Sequence, residues 1–167
     1  IPIFNEYYQT ICRSSEVVGL RYISQLAGND LPDLLAANRE RDRILGYTSN
    51  GIHKDELEMT LNEHLIRRVG SQGQNKTYLI ALKLAQFAFL ARKGQTTPIL
   101  LLDDIFDKLD AARVAEIIKL VSDDSFGQIF ITDTNRKYLD EILLAMEHDY
   151  ALFKVEQGEV QPMEDPA

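Results

Sequence analysis

Pro98-Ile99-Leu100-Leu101-Leu102 is a short, continuously apolar run that ends on two acids, Asp103 and Asp104. A run of that length and character reads as a buried strand. Gly127-Gln128-Ile129-Phe130-Ile131-Thr132 repeats the pattern, and Tyr150 to Val155 gives a third strand. Between them, Asp110 to Val121 and Asn135 to about Glu147 carry helical spacing. Apolar strands separated by amphipathic helices imply a parallel sheet covered on both faces, so this part of the chain is expected to be α/β.

The acids at the end of the first strand are the main chemical signal. In open α/β sheets, ligands bind beyond the carboxyl ends of the strands. One carboxylate there can hold Mg²⁺ through water, and its neighbour can orient or deprotonate an attacking water. Side chains alternate along a strand, so Asp103 and Asp104 need not share one job. The plainer reading is that either acid caps the following turn. Asp107 and Asp110 follow closely, and four acids in eight residues exceed what capping needs, although Asp110 alone suits the N-cap of a helix starting at Ala111.

Upstream, residues 1–50 hold a Tyr-rich start, a strand from Glu16 to Ser24 and a helix from about Asp33 to Leu45. That helix carries the run Arg39-Glu40-Arg41-Asp42-Arg43, which suits a solvated face better than a phosphate or partner contact. Residues 51–93 open with the loop Gly51-Ile52-His53-Lys54. Two alternating runs follow, Leu57 to Leu61 and His64 to Val69, with Glu63 and its neighbours as a tight hairpin connection. Next comes Gly70-Ser71-Gln72-Gly73-Gln74, and then a strongly apolar helix ending near Lys93-Gly94, expected to be largely buried. A glycine-containing loop before a helix amino terminus is a natural phosphate site, with Ser71 as a hydroxyl donor and Gly73 allowing close approach. Ser-x-Gly before a helix is more often a simple cap. Lys76, in the first turn, opposes the helix dipole unless an anion sits nearby.

Charge divides the chain unevenly. The net charge is −8, with twelve basic against ten acidic side chains in residues 1–93 and six against sixteen in residues 94–167. Free DNA binding usually relies on a basic surface, which this chain does not offer; if DNA is a partner, it is expected to be bound mainly through another part of the protein or through a dimer. No apolar run approaches the roughly 20 residues of a membrane helix. The single cysteine, Cys12, excludes an internal disulfide, and no Cys/His cluster offers a zinc site. With no leader sequence, a reducing cytoplasmic setting is expected. The opening Ile1-Pro2-Ile3-Phe4 lacks a methionine and suggests a fragment or processed product. The triphosphate cradle G-x-x-x-x-G-K-[ST] does not occur in the chain.

In order and spacing, these motifs resemble the ABC/SMC class of ATPase heads, and the RecF family in particular. Gly70-Ser71-Gln72-Gly73-Gln74-Asn75-Lys76 resembles the signature segment, continued by the helix Thr77 to Ala85. Leu100 to Asp110 resembles a Walker B motif running into a D-loop, and Gln128 to Thr134 the strand leading to a switch region. Gly46-Tyr47-Thr48 and Gly51 to Leu57 resemble a further stretch, usually G-P-H-R-D-D-L, with Ile52 in place of proline. The resemblance implies the carboxyl-terminal part of a P-loop, ABC-type ATPase head with a parallel sheet core, plus part of an α+β arm. Residues 1–50 would be the remainder of the arm, 51–93 the signature segment and buried helix, and 94–167 the ATPase core portion.

By the same resemblance, Asp103 would coordinate Mg²⁺ and Asp104 would be the catalytic carboxylate. Ser71, Gln72, Gly73, Gln74 and Lys76 would meet, in trans, the ATP held by the opposite subunit. Asp107, Lys108, Leu109 and Asp110 would form the D-loop, and Asp133 and Thr134 the switch region. Gln72 stands where transporters have glycine, and Asp104 where they have glutamate. The implied activity is ATP-dependent homodimerisation on gapped or junction DNA, with recombinase loading alongside RecO and RecR. Two other readings compete. One is a Mg-dependent nuclease or phosphoryl-transfer domain using Asp103, Asp104 and Asp107 directly. The other is an acidic protein-interaction module.

Overall fold

The computed structural model describes residues 1–94, 96–104, 107–134 and 150–163. They belong to two compact units, Ile1–Ala85 and Gln86–Ala167.

The first unit begins with α1 (Pro2–Cys12), whose proline lies in the first turn, where a missing N–H costs nothing. Phe4, Tyr8 and Ile11 recur at helical spacing and are its buried residues. Strand β1 (Val18–Ile23) pairs antiparallel with β2 (Glu56–Leu61), from Val18 opposite Leu61 to Ile23 opposite Glu56. Asn62 and Glu63, at φ 48° and 68°, turn β2 back into β3 (His64–Leu65). Two successive left-handed residues match the twist of a hairpin, so the expected tight connection forms. Its second strand is shorter than expected. Only His64 and Leu65 pair, and Ile66–Val69 wind into a short helix, α3, that buries Ile66. Burial of Ile66 in this turn outweighs the alternation read over His64 to Val69.

Between β1 and β2, α2 (Leu31–Leu45) starts two residues before the predicted Asp33 and ends at a left-handed Gly46, φ 77°. Glycine adopts that conformation without a Cβ penalty, and its N–H returns to Asp42 O at 2.8 Å. Arg39, Glu40, Arg41 and Arg43 stand exposed, as expected of a solvated face. The longest helix, α4 (Gln72–Lys93), buries Thr77, Tyr78, Ile80, Ala81, Leu84 and Phe87 but leaves Leu79, Phe89 and Leu90 exposed. It is therefore buried along one face, where its apolar circumference predicted more.

The second unit is built on β4 (Leu100–Asp103) and β5 (Ile129–Thr132), which are parallel, with Leu100 opposite Ile129 and Asp103 opposite Thr132. Helix α5 (Ala111–Val121) lies in the crossover between them and buries Val114, Ile117, Ile118 and Val121. Phe87 stacks on Phe126 at 4.9 Å between ring centroids. Leu100 and Leu102 are buried, whereas Ile99, Leu101 and Phe130 are 58%, 64% and 50% exposed. Among the described residues the sheet is thus covered on one face, not both as the apolar runs suggested. The helix expected from Asn135 to Glu147 lies outside the described residues. The third predicted strand, β6 (Leu152–Glu156), does not join the parallel sheet among the described residues. Gln157 and Gly158, at φ 53° and 85°, fold it into an antiparallel hairpin with β7 (Glu159–Met163). No described helix is long and apolar enough to cross a membrane.

Two outcomes test this packing. Burial pushes the Tyr78 hydroxyl from its ordinary 10.0 up to about 12. The folded state therefore holds this proton more tightly, and stability present below about pH 10 is lost progressively towards pH 12. Tyr78→Phe should lose about 1 kcal/mol at neutral pH and flatten that alkaline slope, read by thermal melting across pH. At Gly70, an added Cβ would lie 2.7 Å from Ile66 O and 2.8 Å from Ile66 Cγ1. Gly70→Ala should cost about 1–3 kcal/mol in urea unfolding, since backbone must move to relieve the clash.

Candidate functional site

Two sets of predicted residues have defined surroundings, one in each unit. In the first, Ser71 stands immediately before α4. Ser71 Oγ accepts from the Gln74 backbone N–H at 3.2 Å, and Gln74 Oε1 accepts from the Ser71 N–H at 2.7 Å. This reciprocal pair is a capping box, which satisfies two amides that a helix start leaves without partners. The plain-cap reading of Ser71 is therefore correct as structure. It leaves the chemistry open, because Ser71 Oγ acts here as an acceptor and its hydroxyl hydrogen is not used in that bond.

The loop is held from several sides. Asn75 Nδ2 donates to Gly70 O at 3.0 Å and to Ser71 O at 2.9 Å. Thr77 Oγ1 donates to Gly73 O at 2.8 Å. Gln74 Nε2 donates to Glu16 Oε1 at 2.6 Å, and Glu16 Oε2 accepts from the Tyr8 hydroxyl at 2.8 Å. Burial, the dominant cause, and the neighbouring Cys12 and Glu16 push the Tyr8 phenol well above its ordinary value. Gln72 is exposed, and Gly73 and Lys76 are half-buried. Glu16 and Asn75 were not predicted as site residues. Their contacts depend on folding, and only the Ser-x-x-Gln spacing of the cap is visible in the sequence.

In the second unit, β4 delivers Asp103 to its carboxyl end on the exposed face of the strand. The hydroxyl of Thr132, opposite it on β5, donates to Asp103 Oδ1. Asp104 follows in left-handed backbone, φ 48°, and its N–H donates to Thr132 O at 2.9 Å. The two neighbouring acids therefore leave the strand differently, as separate roles would require. Thr132, which the sequence did not single out, is thus a partner of Asp103.

The remaining acids have structural work. Asp110 caps α5, Oδ1 accepting from the Arg113 N–H at 3.0 Å, and Oδ2 lies 3.3 Å from Arg113 Nε. Leu109 is buried, and Lys108, at φ 63°, lies 3.7 Å from Asp107 across an exposed pair of little energetic weight. Asp133 is half-buried and Thr134 exposed. Among the described residues, no three His, Cys, Asp or Glu side chains gather as a metal cage. Asp103, Asp104 and Asp107 are accordingly not gathered into one cluster. In the loop after α2, the Tyr22 hydroxyl donates to Asp55, and this bond lowers the Asp55 carboxyl below its usual range.

No family model matches the chain. A protein of Parabacteroides distasonis named DNA replication and repair protein RecF is 82% identical over 164 residues, covering 98% of the chain and 45% of that relative. Proteins of the same name from Azobacteroides pseudotrichonymphae and Bacteroides fragilis are 60% and 58% identical, over 96% and 99% of the chain. A solved structure described as the recombination mediator protein RecF-ATPrS in the RecFOR pathway superposes with TM-score 0.69. It is 22% identical and covers 98% of this chain and 43% of its own, a likeness of fold. The chain spans a little under half the length of these relatives. Near-complete coverage at such identity, together with the shared fold, shows that the chain belongs to the RecF family.

Proposed function

We propose that this chain is the carboxyl-terminal part of a RecF-type DNA replication and repair ATPase and supplies two separate halves of a shared ATP site. The observation that carries the reading is the Asp103–Asp104 pair at the carboxyl end of a parallel strand, in a chain that aligns almost throughout with RecF proteins. Residues 1–50 then belong to the arm, 51–93 to the signature segment, and 94–167 to the ATPase core. The phosphate cradle is supplied by sequence outside this chain.

A single carboxylate suffices for Mg²⁺ in this setting, since phosphate oxygens and water provide most of the octahedral shell. The residues fit that demand: Asp103 ends its strand exposed, and the Thr132 hydroxyl occupies one of its oxygens and orients it. When bound, the ion neutralises charge developing on the transferred phosphoryl group. Asp104 orients the attacking water and takes up its proton. Ser71 Oγ donates its hydroxyl hydrogen, and Gly73 its N–H, to γ-phosphate oxygens of ATP held by the opposite subunit. Gln72, Gln74 and Lys76 line the same contact. Asp107 to Asp110 lie across the dimer interface, and Asp133 or Thr134 takes the switch position. ATP thereby joins two heads into a clamp for gapped or junction DNA in the cytoplasm, with RecO and RecR as partners in recombinase loading, and hydrolysis resets it.

Sedimentation of the intact protein with and without ATP and Mg²⁺, beside this chain alone, tests the reading. An ATP-dependent dimer of the intact protein only is expected. Mg-dependent DNA cutting by the chain alone, without ATP, would transfer the case to a nuclease. Asp104→Asn should keep ATP-driven dimerisation and slow hydrolysis by about 10²-fold or more in a phosphate-release assay. Its melting temperature should hardly change, because Asn tolerates left-handed backbone as Asp does. Ser71→Arg should abolish the ATP-dependent dimer while leaving ATP binding by the monomer intact.

A further inference from the structure

We infer that Glu16, 58 residues before Gln74 in the chain, is a positioning residue that sets the signature loop for its contact with the partner's ATP. This inference rests on the reading of Ser71 and Gly73 given above.

Glu16 lies in the connection between α1 and β1, and its two carboxylate oxygens are engaged on different sides. Oε2 takes the hydroxyl hydrogen of Tyr8, and Oε1 takes the amide of Gln74 at 2.6 Å. Tyr8 is fully buried, its ring 5.9 Å from that of Tyr78, so one end of this chain of bonds is anchored in the core. The other end is the Ser71 N–H, which donates to Gln74 Oε1.

The chemistry dictates which way Gln74 faces. An ionised carboxylate only accepts hydrogen bonds, so it draws the NH₂ end of the amide towards Glu16. The carbonyl end is thereby turned to the Ser71 N–H. An unheld glutamine at the third position of a helix has a free amide flip and several rotamers, and caps only part of the time. Glu16 removes that freedom. A local capping box needs no residue from another element, yet here one from a distant part of the chain completes it. Ser71 Oγ and the Gly73 backbone are therefore ordered before any nucleotide arrives, which lowers the entropy that binding would otherwise cost.

The intact protein provides the test, with ATP-dependent dimerisation by sedimentation as the main readout. Monomer ATP affinity and melting temperature serve as separate readouts. Glu16→Ala should weaken dimerisation by about tenfold, the scale of one lost charge-assisted hydrogen bond. Because that variant also strips a partner from buried Tyr8, the deciding pair is Gln74→Glu and the double variant Gln74→Glu/Glu16→Gln. Glutamate is the other standard residue of a capping box, so Gln74→Glu keeps the local acceptor for the Ser71 N–H but sets a second carboxylate against Glu16, and its melting temperature is read alongside. It cannot donate to Glu16, and dimerisation should fall by about tenfold. In the double variant the donor and acceptor are exchanged, and dimerisation should return to within about twofold of wild type. Wild-type dimerisation by Gln74→Glu, or no recovery in the double variant, overturns the inference. If Ser71→Arg still dimerises with ATP, the signature reading itself fails. If Ser71→Arg is blocked while Gln74→Glu dimerises normally, only the role of Glu16 is lost.

Discussion

The first unit depends on the burial of one tyrosine. Tyr78, in the second turn of α4, lies 4.7 Å from Phe4 and 5.9 Å from Tyr8 between ring centroids, and its hydroxyl donates to the Gly19 carbonyl. One side chain thus ties α4 to α1 by aromatic packing and to β1 by a directed polar bond. A Cβ at Gly19 would meet the hydroxyl of Thr60 on the paired strand. A buried phenol needs a partner, and a strand carbonyl inside the packing meets that need while fixing the rotation of α4 about its axis. With that rotation fixed, the first turn of α4 and its serine cap face a defined direction.

The cap and the proposed phosphate contact require the same geometry of the Ser71 loop. Capping needs a serine oxygen that accepts a bond from the third residue of the helix. Phosphate binding needs a hydroxyl hydrogen and backbone amides that point outward. One hydroxyl has the capacity for both. A structural cap and a nucleotide contact at this position therefore support each other. At β4 the division of labour is between residues: Asp103 remains in the strand and is oriented by Thr132, while Asp104 departs from it.

Much of the second unit was legible in the sequence, because short apolar strands and an amphipathic helix have unambiguous periods. The strand ending at Asp103, the helix from Ala111 and the cap at Asp110 all follow the pattern. The first helix was less evident, although Phe4, Tyr8 and Ile11 carry the four- and three-residue spacing and Pro2 marks the start. Aromatic content obscured that signal. The run from His64 to Val69 was misread in its last four residues because so short a run cannot separate a two-residue period from a helical turn. The Ser71 cap was visible in the Ser-x-x-Gln spacing. Glu16 and Thr132 were not, since each acts through a contact with a distant part of the chain that no local pattern encodes.

The left-handed backbone at Asp104 also favours the shorter acid at that position. Aspartate tolerates this conformation because its short polar side chain bonds locally, whereas longer side chains gain no such compensation. Replacing it with glutamate, the residue of the transporter heads, would both burden the backbone and carry the carboxylate one methylene further out. The choice of acid and the bend of the chain are therefore coupled. A change from one to the other carries a backbone cost of about 1 kcal/mol, a cost this chain already bears at Glu63 and Lys108. The reach of the carboxylate is thus set by the main chain as much as by the side chain.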